Sequence, residues 1–261
     1  MNEGPLAGLG ILVTRPRHQA GALLAAIEAQ GGNAILFPTL EIVPRSPADI
    51  RADAVRLGAP DITIFVSPNA VRYGLEYAGC GALTAIGPAT AAALEAAGRT
   101  VDIRPASGFD SEHLLAEPAL KNVAGKVVRI IRGQKGRDLL AETLRSRGAL
   151  VDFLSVYDRL PPAYAAEEIE AIDAQWRAGR IDVVTVMSTE SLQNLLALLP
   201  QSCRKQLAET RLVTPAARVI KEALDLLPGI PTTLAQGPQV DDMVLAILEL
   251  GSKSPDKPDE H

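Results

Sequence analysis

This chain repeats itself, and the repeat limits its folds more than any other feature. The stretch Ala7-Gly-Leu-Gly-Ile-Leu-Val-Thr-Arg-Pro returns 117 residues later as Ala124-Gly-Lys-Val-Val-Arg-Ile-Ile-Arg-Gly, with Gly8 on Gly125 and Arg15 on Arg132. Beyond a one-residue gap, Leu23-Leu24 falls on Leu139-Leu140, Gly32 on Gly148 and Phe37 on Phe153. That is a strand, a helix and a strand, twice; we call it segment A. Segment B begins Asp61-Ile-Thr-Ile-Phe-Val-Ser-Pro-Asn and recurs as Asp182-Val-Val-Thr-Val-Met-Ser-Thr-Glu. Its later part, Ala85-Ile-Gly-Pro-Ala-Thr, recurs loosely as Leu212-Val-Thr-Pro-Ala-Ala. A chain of 261 residues with 47% hydrophobic content can bury one large core or two modest ones, and the repeat selects two similar domains.

The runs Ile11-Leu-Val-Thr, Ile62-Thr-Ile-Phe-Val, Val127-Val-Arg-Ile-Ile and Val183-Val-Thr-Val-Met are short, β-branched and nearly continuous in apolarity. Parallel strands covered by helices on both faces read this way. Residues 137–148 place Leu139, Leu140 and Leu144 on one helical face and end in a glycine stop, and Ala20 to Gly31 follows the same pattern. Two strands per A and three per B, the third in the first B being Val101 to Arg104, make five per pair. Five strands alternating with helices predict a flavodoxin-like, doubly wound parallel sheet of α/β class.

The pairing need not follow chain order. The link from the first B to the second A is only Lys121-Asn-Val-Ala-Gly-Lys, which suits a connection inside one domain. Both A-to-B links are long and carry prolines (Pro38, Pro44 and Pro47; Pro161 and Pro162), as crossings between domains do. The expectation is an interleaved path: domain 1 from 1–40 plus 165–250, domain 2 from 45–157, and a two-stranded connector at 41–44 and 158–164 forming a hinge over a cleft. The polar stretch 251–261 is expected to be disordered.

A net charge of −5 and 3% aromatics argue against nucleic acid or anionic membrane as a partner. No apolar run approaches the roughly 18 residues needed to span a bilayer, and no signal peptide is evident at the N-terminus. Cys80 and Cys203 lie far apart, outside any metal or redox spacing, and read as reduced thiols of a cytoplasmic protein.

No Gly-x-x-x-x-Gly-Lys-Ser/Thr loop follows a strand and no Gly-x-Gly-x-x-Gly opens a strand-helix turn. The nearest approach, Gly133-Gln-Lys-Gly-Arg, is a tight turn or a binding loop. His18, His113 and His261 sit in unrelated contexts, which argues against a zinc site or a Ser-His-Asp triad, so no metal or other cofactor is expected. What recurs is a set of strand-end turns with small polar residues and arginines: Thr14-Arg-Pro-Arg, Ser67-Pro-Asn with Asn69, Gly87-Pro-Ala-Thr with Thr90, Arg132-Gly-Gln-Lys-Gly-Arg, Ser188-Thr-Glu-Ser and Thr214-Pro-Ala-Ala-Arg. In a parallel sheet these lie at the carboxyl edge, where open α/β folds bind ligands, and helix N-termini with Arg15, Arg17, Arg132, Lys135 and Arg137 suit a ligand with many acidic groups. Ser67 and Ser188 read equally as helix caps.

In order and spacing, several stretches together resemble the uroporphyrinogen-III synthase family over nearly the whole chain. They are Ile11-Leu-Val-Thr-Arg-Pro, Phe65-Val-Ser-Pro-Asn-Ala-Val, Ala85-Ile-Gly-Pro-Ala-Thr-Ala, Ile131-Arg-Gly with Gly136-Arg-Asp-Leu-Leu, and Leu144-Arg-Ser-Arg-Gly-Ala running into Val156-Tyr-Asp-Arg. The resemblance implies two flavodoxin-like domains with the interleaved path, and a monomer. It also implies cyclisation of the linear tetrapyrrole hydroxymethylbilane, which carries four acetates and four propionates, with inversion of ring D and release of water. Transient contact with the enzyme that makes the bilane is a further expectation. Residue by residue, Tyr157 falls on a tyrosine that faces the cleft, implying a proton donor or orienting hydrogen bond for the leaving hydroxyl. Ser67 and Thr90 fall on positions bordering the cleft, Arg132, Gly133 and Gly136 on the Arg-Gly turn of one domain, and Arg15 on that of the other. Thr214-Pro-Ala-Ala departs from a Gly-Pro-Thr-Thr-like turn of many members and lacks a hydroxyl there. Two other classes share the architecture: a non-catalytic two-lobed ligand-binding or regulatory module, which usually carries a signal peptide, and a receiver, which needs an acceptor Asp where Ser67 and Ser188 stand.

Overall fold

The computed structural model describes residues 4–136 and 138–251. Two compact units emerge from it: residues up to Glu41 together with those from Pro161 onward form the first, and Ile42–Leu160 the second. The first holds a sheet of β1 (Gly10–Val13), β2 (Asn33–Leu36), β8 (Val183–Thr185), β9 (Arg211–Thr214) and β10 (Thr232–Leu234). Its order is β10-β9-β8-β1-β2 and every neighbouring pair is parallel. The second holds β3 (Glu41–Pro44), β4 (Ile62–Phe65), β5 (Ala82–Ala85), β6 (Val127–Gly133) and β7 (Leu150–Leu160), ordered β3-β7-β6-β4-β5.

Strand order identifies the fold. Starting from β1 and β2 and continuing to β8, β9 and β10, the first sheet has the 2-1-3-4-5 order of flavodoxin-like proteins. The second sheet has the first four places of that order, 2-1-3-4, if β6 and β7 are taken first and β4 and β5 next, these four parallel, with β3 added at the edge beside β7. The first A segment thus shares a sheet with the second B, and the first B with the second A.

Burial explains why the central strands are apolar runs. Ile11 and Val13 face a core with Leu23, Ile27 and Met243, while Leu12 faces the opposite core with Trp176, Leu192 and Leu195. In the second sheet Ile62, Ile64, Val128 and Ile130 pack on Leu114 and Leu144, and Phe65 and Ile131 on the other face with Val71 and Leu94. The charge inside β6, Arg129, is only 2% exposed.

One expected strand is corrected. Val101 to Arg104 contributes a single parallel bridge, Thr84 with Ile103. The Asp102 carboxylate accepts the Leu83 N–H at 2.7 Å, so a side chain takes a partner that the neighbouring backbone normally serves. Pro105 then offers no N–H to extend the ladder.

Both cysteines are free, Cys80 exposed and Cys203 buried. The Cys203 thiol donates to Asp173 Oδ1 at 2.8 Å. Burial first, then the Asp173 carboxylate, pushes its pKa up to about 12. Only thiolate reacts readily with aromatic disulfide reagents. A colourimetric titration at pH 8 is expected to count one thiol in the native protein and two after denaturation; two fast native thiols would contradict this burial. No helix among the described residues is long and apolar enough to cross a membrane.

Candidate active site

Because the strands of the second sheet run parallel, the carboxyl ends of β4, β5, β6 and β7 open on one edge. Tyr157 lies near that end of β7, its side chain almost fully buried. Its phenol oxygen is 3.1 Å from Ser67 Oγ, in the turn after β4. Ser67 also caps the helix Pro68–Gly74, accepting the Ala70 N–H at 3.1 Å. The cap reading of this serine holds: one lone pair serves the helix, and the hydroxyl still meets the tyrosine.

Gly133 sets the other side of the ring. The β6–β7 register shifts between Arg132 and Gly133, bringing Gly133 opposite Tyr157, and Gln134 N–H donates to Tyr157 O at 3.0 Å. A Cβ on Gly133 would stand 2.7 Å from Tyr157 Cε2 and 3.0 Å from Cζ. Glycine is needed here for close approach, and the ring lies against bare backbone. Tyr73 completes the surroundings, its ring centre 6.3 Å away.

Arg132 projects from the end of β6 with its guanidinium carbon 3.9 Å from the Phe153 ring centre, and Nη1 donates to Asp138 Oδ1 at 3.0 Å. The side chain is held flat by the aromatic and oriented by a carboxylate that is itself exposed. Asn69, in the first turn after Ser67, is half-buried, and Gly136 is exposed beside Arg132. At the end of β5, Gly87 precedes the helix Pro88–Ala96 and accepts the N–H of Thr90, which is buried one turn in. Arg137 lies outside the described residues, as does the stretch beyond 251.

Arg15, Ser188 and Thr214 lie at the carboxyl edge of the first sheet. The Arg15 guanidinium donates to Pro238 O, its buried Nε has no hydrogen-bond partner among the described residues, and burial lowers its pKa. Ser188 caps the helix Thr189–Leu198 through the Ser191 N–H at 3.2 Å. Thr214 is fully buried and its Oγ1 accepts the Ala216 N–H at 3.3 Å, holding the turn. The predicted residues divide between the units, with Ser67, Asn69, Gly87, Thr90, Arg132, Gly133, Gly136 and Tyr157 in one and Arg15, Ser188 and Thr214 in the other; of these Ser67 and Gly133 meet Tyr157, and Gly136 lies beside Arg132.

Sequence reasoning missed several supports. In the first unit Asn194 Nδ2 donates to Thr39 O at 2.9 Å, and Tyr164 stacks on Phe37 at 4.6 Å while its hydroxyl donates to Pro38 O. Burial pushes the Tyr164 pKa up to about 12. In the second, Tyr73 was not singled out, and Phe153 and Asp138 stood in the repeat and the quoted stretches without a role at the Arg132 side chain. The signal was scarcity, since the chain has only four phenylalanines and four tyrosines. No group of three or more His, Cys, Asp or Glu among the described residues is arranged to hold a metal ion.

The family model described as "Uroporphyrinogen-III synthase HemD" matches residues 21–244. The chain belongs to the uroporphyrinogen-III synthase family. It is 34% identical to the uroporphyrinogen-III synthase of Escherichia coli K12, over 84% of this chain and 92% of that one. Identity to the enzyme of Salmonella typhimurium LT2 is 35% with the same coverage. Among solved structures, a mutant uroporphyrinogen III synthase from the extreme thermophile Thermus thermophilus superposes with a TM-score of 0.62 at 21% identity, over 94% of this chain and 100% of that one. The Helicobacter pylori 26695 protein gives 0.61 at 14% identity, over 93% and 99%. At these identities the solved structures support the two-domain α/β fold of the synthase family, and the sequence relatives carry the family.

Proposed function

We propose that this chain converts hydroxymethylbilane to uroporphyrinogen III, cyclising the linear tetrapyrrole with inversion of ring D and loss of water, and that Tyr157 protonates or orients the departing hydroxyl. The observation that carries the role of Tyr157 is its placement: a phenol fixed by Ser67 on one side and by the bare backbone of Gly133 on the other, at the carboxyl edge of a parallel sheet. Loss of the hydroxyl leaves an azafulvene cation on ring A. Ring D attacks through its substituted carbon to give a spiro intermediate, which fragments and recloses in the inverted sense. Helix N-termini and the arginines at the sheet edges are suited to the acetates and propionates that hold this conformation. The reading includes a monomer acting in the cytoplasm without a cofactor, in passing contact with the enzyme that supplies the bilane.

The bilane closes to the uninverted isomer I without help, so the ratio of isomers reports the protein's contribution directly. Generated in situ, exposed to the protein, oxidised and separated by chromatography, it is expected to yield mostly uroporphyrin III. Isomer I alone from folded protein would overturn the assignment. Tyr157→Phe is expected to slow isomer III formation about tenfold, less than the roughly 10²–10⁴ of a typical general acid, because the hydroxyl also leaves unaided. Unchanged turnover in that variant would remove Tyr157 from the mechanism.

A further inference from the structure

Across β6 and β4 from Tyr157, the same sheet edge carries a hollow of about 420 Å³ beyond the end of β5. Gly87 and Ala91 of the turn and helix Pro88–Ala96 line it, with Arg104, Pro105 and Phe109. Phe109 is 67% exposed, an expensive place for a phenyl ring in water. Its position is imposed by the surrounding loop. Glu117 Oε1 accepts the Ala106 N–H at 2.9 Å, before the ring. Asp110 follows it, accepting the His113 N–H at 2.9 Å and contacting His113 Nδ1 at 2.6 Å. Between them Gly108 adopts φ +70°, and any side chain there would meet the His113 imidazole at 2.3 Å. Pinned on both sides, the loop sets the Phe109 Cβ within 3.3 Å of where a Gly87 side chain would begin. Glycine at 87 thus leaves room that a larger residue would take from the ring. Arg104 is exposed and forms no ion pair among the described residues.

We propose that this hollow seats one acid-bearing pyrrole ring of the substrate, the ring against Phe109 and a carboxylate on Arg104; this rests on the function proposed above. Its volume falls near the lower end of the roughly 300–1,000 Å³ of small-molecule pockets, which suits one substituted pyrrole and not four. Apolar walls of proline, alanine and phenylalanine take a ring face, while the free guanidinium at the rim complements the acetate or propionate that each pyrrole carries. Phe109 and Arg104 act as binding residues, distant from the departing hydroxyl, so their removal affects affinity before turnover.

The test measures KM for in situ bilane, kcat, and the Kd of uroporphyrin III by fluorescence titration, on the parent protein and three variants. Phe109→Ala is expected to raise KM and Kd about tenfold with kcat within about twofold, and Phe109→Trp to restore both. Arg104→Gln is expected to raise them about fivefold and to flatten the dependence on salt. Because both side chains are exposed, neither change threatens folding. KM and Kd within twofold of the parent in both Phe109→Ala and Arg104→Gln would overturn the pocket while isomer III formation by the parent left the function standing. A parent that makes only isomer I would overturn the function and the pocket with it.

Discussion

Arg129→Met is expected to destabilise the second unit by about 3–5 kcal/mol, the cost of breaking a buried charged pair from one side. The guanidinium contacts Asp152 Oδ1 at 3.2 Å, Gly58 O at 2.7 Å and Tyr77 O at 3.3 Å. One cation therefore ties β6 to β7 and also to the chain at the ends of two helices. Methionine fills much of the volume but leaves the partly buried Asp152 carboxylate and the buried Tyr77 carbonyl short of a donor, while the exposed Gly58 carbonyl turns to water, so the loss is electrostatic and not one of packing. Removing Asp152 as well, as Arg129→Met with Asp152→Leu, should recover part of the loss, because the Tyr77 carbonyl remains unserved but the charge is gone. Two units make a single unfolding free energy ambiguous, so the measurement is hydrogen exchange followed strand by strand. Protection should fall in β4, β6 and β7 and hold in β1, β8 and β9. A uniform change, or one under about 1 kcal/mol, would show that water replaces the guanidinium at little cost.

Gly133→Ala is expected to lower isomer III formation about a hundredfold, the scale associated with misplacing a reacting group by an ångström. The new methyl would overlap the Tyr157 ring along one edge, with Cε2 at 2.7 Å, Cζ at 3.0 Å and Cδ2 at 3.2 Å. The ring cannot yield toward Ser67 without disturbing the contact that orients its hydroxyl. The effect should exceed that of Tyr157→Phe, since the phenol is not merely lost but replaced by a displaced ring at the same edge. Overpacking of this kind also costs about 1–3 kcal/mol of stability, which circular dichroism and thermal melts separate from activity. Gly21→Ala is the control, because a Cβ there meets nothing within 4 Å. A Gly133→Ala protein with parental isomer ratio and rate would show that the tyrosine's position is immaterial.

The fold was readable because strands buried on both faces have no polar face to disguise them. Ile11 to Val13 and Ile62 to Phe65 are such strands, and the short Lys121 to Lys126 link beside proline-bearing crossings exposed the interleaving. Arg129 escaped notice because its partners lie 71, 52 and 23 residues away, distances over which a local pattern carries no information. Val101 to Arg104 misled for a different reason. Its composition suits a strand, yet Asp102 uses its side chain where a backbone carbonyl was expected. At the candidate site, Ser67 and Gly133 stand out in strand-end turns, and Tyr157 through the family resemblance alone. Their mutual contact does not, because it depends on a register shift after Arg132 that no residue type signals. Phe109 was overlooked since a single aromatic in a polar loop reads as incidental until its exposure is known.

The interleaved path also has a temporal side. β1 pairs with β8 through Ile11 and Val183, residues separated by most of the chain, whereas Ile42–Leu160 is continuous. At typical synthesis rates of about 5–20 residues per second, β1 waits on the order of 10–30 s on the ribosome for its neighbour to be made. During that interval the inserted unit can complete its sheet, while Leu12 lacks Trp176, Leu192 and Leu195, and Ile11 and Val13 have the early helix with Leu23 and Ile27 but not Met243. Maturation therefore runs from the middle of the polypeptide outward, and the earliest-made segment is among the last to find its place. Slow translation between the two halves of the first sheet lengthens the time for which β1 is without β8.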